Sequence, residues 1–280
     1  MRHSRGWWKK RLPHWYGSTR PLPRSSRSRR DAGESRYTSR RRWSEIAASL
    51  RDIRARRYDD IVDSQGLLRT ALVARAPRPP ERLRPLQYSR ASRVALYDVR
   101  HHVDRNLHAV ERNQILTGLA LGYKPRGEPD FGLDRQRLAK AATGYVVFLH
   151  GTARPNKQWP ETSWIALGKA LGGELVLPWG NEIERARSKR IAAQLPGARV
   201  AQHAPLDQVA QLIAGAQYVV GVDTGLLHLA AALGVPLVAI FAGSKPNLTG
   251  PVGRGPMRIL GDDRMPPSVD DVVDSIAKVA

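Results

Sequence analysis

The 280 residues contain no cysteine. Disulfides, thiolate nucleophiles and Cys-ligated zinc are thereby excluded, and a reducing compartment is compatible with the chain. Long apolar runs are missing too. The longest one worth testing, Leu229–Phe241, is interrupted by Gly234 and Pro236 and falls short of the roughly 20 residues a membrane-spanning helix needs. The basic N-terminus has no apolar stretch of the kind a secretory signal requires, so none is expected. Acidic residues are scarce: 25 Asp and Glu against 46 Lys and Arg, a formal charge of +21. This imbalance is local. Residues 1–42 hold 14 Lys and Arg against Asp31 and Glu34, and residues 77–96 hold five Arg against Glu81. The rest of the chain is close to ordinary in charge, so the basicity belongs to two segments and not to the protein as a whole.

Hydrophobic residues make up 41%, enough for a packed core in one or two domains. Met1–Thr38 is rich in Arg, Ser and Pro and lacks usable periodicity, a composition that does not bury enough apolar surface to offset ordering entropy. Ile46, Leu50 and Ile53 recur at helical spacing and predict a helix over Ser44–Arg57. Tyr58–Asp63 reads as a short strand and Leu67–Ala74 as the helix that follows. Pro77–Ala95 is patternless. Tyr97–Leu121 reads as one helix stopped by Gly122. The second half alternates regularly. Strands are expected at Tyr145–Leu149, Glu174–Leu177, Arg199–Ala201, Tyr218–Val222, Pro236–Phe241 and Arg258–Leu260. Helices are expected at Trp164–Leu171, Glu182–Gln194, Leu206–Ile213, Gly225–Leu233 and Asp270–Val279, the last capped by Ser268. Short apolar strands alternating with helices imply an α/β fold with a parallel, doubly wound sheet. Ligands of such sheets bind beyond the carboxyl ends of the strands, which directs attention to the loops after Leu149, Leu177, Val222 and Phe241.

The first candidate site is Val222-Asp223-Thr224-Gly225-Leu226-Leu227-His228. A strand ends at Val222 and a helix starts at once, with Asp223 or Thr224 as its cap. The unpaired N–H groups and the positive dipole end suit a pyrophosphate. His228 lies one turn in and can donate to a phosphate oxygen. A capped helix with a buried histidine is the plainer alternative. The second is His150–Trp159, where Gly151 permits close backbone approach, Thr152 offers a hydroxyl, and Arg154 and Lys157 offer charge for an anion. Against this stands a solvated loop with Trp159 packed as core. In the third, Trp179 beside Gly180 can shelve an adenine and Glu184 can hold a ribose. Taken alone, that pair reads more readily as a core Trp and a solvated Glu. His101, Asp104 and His108 fall on one side of the expected helix, but their spacing matches no metal signature. Arg40–Trp43 suits a nucleic-acid patch, an anion site for a phosphorylated acceptor, or a solvated run.

Together the segments YDDIVDSQGLLRTALVAR, YDVRHHVDRNLHAVERN, YVVFLHGTARPNKQWPETSW, LPWGNEIERA, VVGVDTGLLHLAAALGVP and IFAGSKPNLTGP resemble the lipopolysaccharide heptosyltransferase I family. The resemblance covers most of Trp43–Arg75 and Tyr97–Ala280. It implies a GT-B fold of two Rossmann-like domains. Residues 43–135 would be a remnant of the acceptor-binding domain, with 77–96 aberrant, and 140–280 would be the donor domain, its last helix packing back on the N-terminal domain. Residues 1–42 would be an aberrant, disordered basic segment. The implied reaction is inverting transfer of L-glycero-D-manno-heptose from ADP-heptose to Kdo of the lipopolysaccharide core, with no cofactor and no metal. Implied donor contacts are Gly151, Thr152, Lys157, Trp179, Glu184, Asp223, Thr224, Gly225 and His228. Lys157 and His228 would stabilise the departing ADP, and Arg41, Arg42 and Arg69 would face the anionic Kdo-lipid A acceptor. The resemblance further implies a protein at the cytoplasmic face of the inner membrane, in peripheral contact with it, and no specific nucleic-acid partner.

Two departures stand out. Ala153 occupies a place where relatives carry a second Thr. The family's Met-Gly-Asp motif, whose Asp resembles the base that deprotonates the acceptor, does not occur in the sequence. Gly6–Lys10, Gly-Trp-Trp-Lys-Lys, is what codons for the relatives' Trp-Val-Val-Glu-Glu give when read one base later, so residues 1 to about 39 resemble out-of-frame translation. Donor binding with little turnover is the resulting expectation. A catalytically dead ADP-sugar binder, a GT-B enzyme with another donor, and a basic nucleic-acid-binding protein are the competing readings. The charge lies in the patternless segments, and no zinc-finger or RNA-binding signature accompanies it.

Overall fold

The computed structural model describes residues 37–55, 58–76, 86–89, 96–139 and 144–280. The expectations for residues 1–36, Gly6–Lys10 among them, lie outside the described residues. The chain divides into two compact units, one ending at Arg57 and one running from Tyr58 to Ala280. In the first, helix α1 spans Tyr37–Arg54 and begins seven residues before the expected start. Arg41 and Arg42 lie on it.

The second unit contains two parallel sheets. The smaller one is built from β1 (Asp60–Asp63), β2 (Leu86–Ser89) and β3 (Val99–Arg100), in that order. Two corrections to the sequence reading fall here. Leu86–Ser89, inside the stretch read as patternless, pairs with β1 along its whole length. Tyr97–Leu121 is not one helix: β3 pairs with β2, Asp104 accepts from the Asn106 amide in a turn, and helix α3 spans only Ala109–Leu121. The shared face of His101, Asp104 and His108 is therefore lost. His108 instead caps α3, its Nδ1 accepting from the Val110 amide. Gly122 ends α3 in the left-handed conformation at φ 70°, as glycine allows. Helix α2 (Leu68–Ala74) buries Ala71 and Ala74. Asp63, buried at the end of β1, accepts from Tyr97 Oη and from the amides of Gln65 and Gly66. Burial raises its pKa, but hydrogen bonds from Thr70, Tyr97 and these amides outweigh that and hold it below the usual value.

The larger sheet has six strands: β4 (Tyr145–Leu149), β5 (Glu174–Leu177), β6 (Ala198–Val200), β7 (Tyr218–Val222), β8 (Leu237–Phe241) and β9 (Met257–Gly261). Their order is β6-β5-β4-β7-β8-β9, all parallel. This is the Rossmann order, with the chain reversing direction across the sheet between β4 and β7. Helices α5 (Glu161–Leu171), α6 (Glu182–Ala192), α7 (Leu206–Gly215), α8 (Gly225–Ala232) and α10 (Val269–Ile276) join and cover the strands, with short turns at α4 (Arg135–Leu138) and α9 (Pro246–Thr249). Every residue of β4, β7 and β8 is buried, as apolar strands covered on both faces require. Alternate residues feed opposite cores: Val147 and Leu149 one, Val146 and Phe148 the other.

Helix α10 packs against α5 and places Val272 and Ile276 in the core of this sheet, joined by Val279 just beyond its end. Its apolar residues recur at helical spacing on one face, and that face finds the sheet's own core. Ser268 and Asp271 form its capping box. Arg135 of α4 docks on the C-terminal end of α7, donating to the carbonyls of Ala214 and Ala216 at 3.0 and 2.8 Å, where a cation meets the negative end of the helix.

Candidate functional site

The strand order places one opening in the larger sheet at the switch point, where the loops after β4 and β7 part. A cavity of about 680 Å³ lies there. Thr152, Lys157, Asp223, Thr224, Gly225 and His228 line it. Those six of the expected donor contacts are thus brought together. Gly151, Trp179 and Glu184 are not among the lining residues: Gly151 follows β4 and lies against Glu184 of α6, and Trp179 stands in the loop after β5. Arg69 is exposed on α2, outside the cavity lining.

The floor of the cavity is the start of α8. Of the two expected caps Thr224 takes the N-cap position, but neither its side chain nor any other bonds the helix end. Asp223 turns the other way. Its Oδ2 accepts from Lys157 Nζ at 2.5 Å and from Ser244 Oγ at 2.6 Å, and its Oδ1 lies 3.9 Å from His228 Nε2. Thr152 Oγ1 donates to the Asp223 carbonyl at 3.0 Å. Three loops are therefore tied to one residue, and Asp223 carries its counterion with it. This leaves the helix dipole and its leading N–H groups facing the cavity beside an ammonium. Burial pushes the His228 pKa down, against the Asp223 carboxylate, with His108 and Lys157 also lowering it. At neutral pH the ring is therefore uncharged and has one N–H to donate. A Cβ placed on Gly225 would meet no protein atom within 4 Å. The glycine is not required by packing; it leaves space at the helix start.

The loop after β4 is held from behind by a buried polar cluster. Arg187 donates to the carbonyls of both His150 and Trp159 and so staples the two ends of the loop. His150 has no exposed surface, and its Nε2 lies 2.7 Å from Ser188 Oγ. Burial first, then the Arg187 charge, depresses its pKa to about 4. This Ser–His pair is sealed in the core and serves as scaffold. Trp159 is core as well, donating through Nε1 to the Pro267 carbonyl, while Thr152, Ala153, Arg154 and Lys157 line the cavity. Gly151 does permit a close approach, but by a side chain: a Cβ there would lie 2.9 Å from Glu184 Cδ. Glu184 Oε2 also accepts from the Gly180 amide at 2.6 Å. Trp179 donates to the Ala201 carbonyl at 2.7 Å, with the Arg185 guanidinium 5.2 Å from its ring centre and the His203 ring at 4.9 Å.

Sequence reasoning missed Ser244, Lys245 and Asp263, all of which line the cavity. The strand-end rule marks the loop after Phe241, so Ser244 and Lys245 were within reach. Asp263 follows β9, an edge strand whose loop carries no signal. Among the described residues no group of three or more His, Asp or Glu stands where it could hold a metal ion, and no helix is long and apolar enough to cross a membrane.

Comparison with known proteins agrees with this geometry. The model of glycosyltransferase family 9 (heptosyltransferase) matches residues 46–272. Lipopolysaccharide heptosyltransferase 1 of Salmonella typhimurium is 35% identical over 256 residues, covering 88% of this chain and 80% of that protein. Among solved structures, the E. coli heptosyltransferase WaaC with ADP superposes with a TM-score of 0.75 at 30% identity, over 87% of this chain and 82% of that one. The same enzyme with ADP-2-deoxy-2-fluoro heptose gives 0.70 at 30%, over 87% and 81%. A parallel sheet in Rossmann order, an uncapped helix at its switch point and these matches lead to one conclusion: the chain belongs to glycosyltransferase family 9, the heptosyltransferases.

Proposed function

We propose that the protein binds ADP-heptose in the switch-point cavity and transfers the heptose to Kdo on lipid A, the step that opens the lipopolysaccharide inner core. One observation carries the reading: the bare amino end of α8 faces Lys157 across the crevice. The relatives' bound ADP and ADP-sugar analogue supply the donor class. In this reading the diphosphate sits on the first turn of α8. Lys157 keeps two ammonium protons for it while the third holds Asp223. Thr224 and the space at Gly225 admit the phosphate oxygens, and His228 donates its single N–H. Gly151, Trp179 and Glu184 take the adenosine end, over β5.

The reaction is a displacement. The acceptor hydroxyl oxygen attacks the anomeric carbon from the face opposite the diphosphate. The carbon–oxygen bond to ADP breaks, its electron pair stays on the phosphate, and the configuration inverts. Charge grows on the leaving phosphate, where α8, Lys157 and His228 act. Donors aimed at developing charge in this way are each worth on the order of 10²–10³ in rate. The proton leaving the acceptor needs a base, and the Met-Gly-Asp motif expected to supply it is not in the sequence. We therefore expect donor binding with slow turnover from these 280 residues. Arg41, Arg42 and Arg69 are the proposed contacts for the anionic acceptor, which would hold the protein at the cytoplasmic face of the inner membrane.

Calorimetric titration with ADP-heptose, ADP and UDP tests the reading. ADP-heptose and ADP are expected to bind and UDP to bind much more weakly. Tight binding of RNA without any ADP-type ligand would end it.

A further inference from the structure

The cavity extends past the diphosphate cradle. Reading along the larger sheet, the loop after β5 and the first turn of α6 carry Trp179 and Glu184, the loops after β4 and β7 carry Lys157 and the start of α8, and those after β8 and β9 carry Lys245 and Asp263. Neighbouring strands lie about 4.8 Å apart, so the loops form a line of successive stations. If the adenosine occupies the first station and the diphosphate the second, the third belongs to the sugar.

We propose that Lys245 and Asp263 read the hydroxyls of the donor sugar. The assignment rests on the ADP-sugar reading above. Both residues line the same cavity as Asp223 and His228. The loop bearing Lys245 is fixed in place: Ser244 Oγ donates to Asp223 Oδ2 at 2.6 Å, and a Cβ on Gly243 would collide with the Asn156 carbonyl of the loop after β4. Lys245 Nζ lies 3.8 Å from Asp263 Oδ2, with side chains 62% and 37% exposed. An exposed pair of this kind contributes little to stability, so its polar atoms are available to a ligand.

The chemistry favours a polyol. A hydroxyl both donates and accepts; the carboxylate takes the first role's partner and the ammonium the second's, so the two side by side satisfy a diol. A phosphate would be repelled by Asp263, which lacks the close counterion that Asp223 has in Lys157 at 2.5 Å. Asp263 therefore marks the end of the cavity away from the diphosphate.

The test is the difference between two affinities. Lys245→Ala and Asp263→Asn are prepared in the full chain, and ADP and ADP-heptose are titrated into each by calorimetry. Both positions are on the surface, so the melting temperature should not change. Each substitution is expected to weaken ADP-heptose about ten-fold, the loss of one hydrogen bond to a charged group, and to leave ADP within about two-fold. Equal losses for both ligands would place the pair at the diphosphate and overturn the proposal. So would unchanged affinity for both, or an unchanged ADP-heptose affinity with a raised acceptor KM. An unsubstituted protein that binds neither ligand would instead refute the donor reading on which this rests.

Discussion

Asp223 has one carboxylate oxygen shared by Lys157 and Ser244 and the other turned to His228. Removing Lys157 leaves that buried carboxylate uncompensated and takes a cation from the phosphate site. Lys157→Ala should therefore lower both ADP affinity, by about 10²-fold, and stability, by about 3 kcal/mol. Gly225 separates ligand effects from folding effects. Its missing Cβ faces open space, so Gly225→Ala should keep or raise the melting temperature, since alanine is the better helix residue. It should weaken ADP, because the methyl stands where the phosphate would. Full ADP affinity in that variant would mean that the diphosphate does not sit at this helix. Gly151→Ala behaves otherwise, since its Cβ meets Glu184 within the protein; a lower melting temperature is expected along with weaker binding of adenosine ligands. At this scale the sequence shows the residue types and their loops, but not who pairs with whom. Asp223 reads as a helix cap, and only the fold reveals that Lys157, 66 positions away, claims it first. Ser244 and Lys245 sit in a loop that strand-end logic marks without naming them.

The loop from His150 to Trp159 brings Thr152 and Lys157 to the site, and both its ends are tied to α6. Arg187 bonds the carbonyls at both ends of it from a buried position. Arg187→Met should cost about 2–4 kcal/mol of stability and weaken ADP without touching it, measured by urea unfolding and calorimetry. His150 makes the same region sensitive to acid. Its pKa of about 4 in the folded protein lies below the ordinary value near 6.5, so the unfolded chain takes up a proton first. Stability present above pH 6.5 is lost as pH falls and is fully lost below about pH 4, a difference on the order of 3 kcal/mol. Urea midpoints between pH 7 and pH 5 should fall accordingly, and less so in His150→Gln. The strands β4, β5, β7 and β8 and the last helix are legible because buried apolar runs and a Ser268 cap are local signals. Residues 97–121 mislead because Val99 and Arg100 are held by pairing with β2, a partner that periodicity does not show. Strand β2 itself is hidden among arginines and prolines.

For the molecule as a whole, binding and charge are separate properties. The donor cavity lies in the near-neutral second half, while most of the excess positive charge lies in residues 1–42 and 77–96. Any association with RNA should therefore fall steeply with added salt as counterion release weakens. It should weaken strongly on deletion of residues 1–36, which removes most of the excess charge in those two segments, with ADP-heptose affinity unchanged; parallel loss of both would contradict the separation. The parallel architecture follows from strand–helix alternation, so the fold class is visible in sequence, whereas the order of the strands comes only from the fold. The division at Arg57 is not visible in sequence either: the change of composition falls at residue 42, inside the first unit. The central claim, a diphosphate seated between the start of α8 and Lys157, is tested most directly by a crystal structure with ADP. Phosphate oxygens within hydrogen-bond reach of the Thr224–Gly225 amides and Lys157 Nζ are predicted. ADP bound elsewhere, with that helix end bare, would contradict the account.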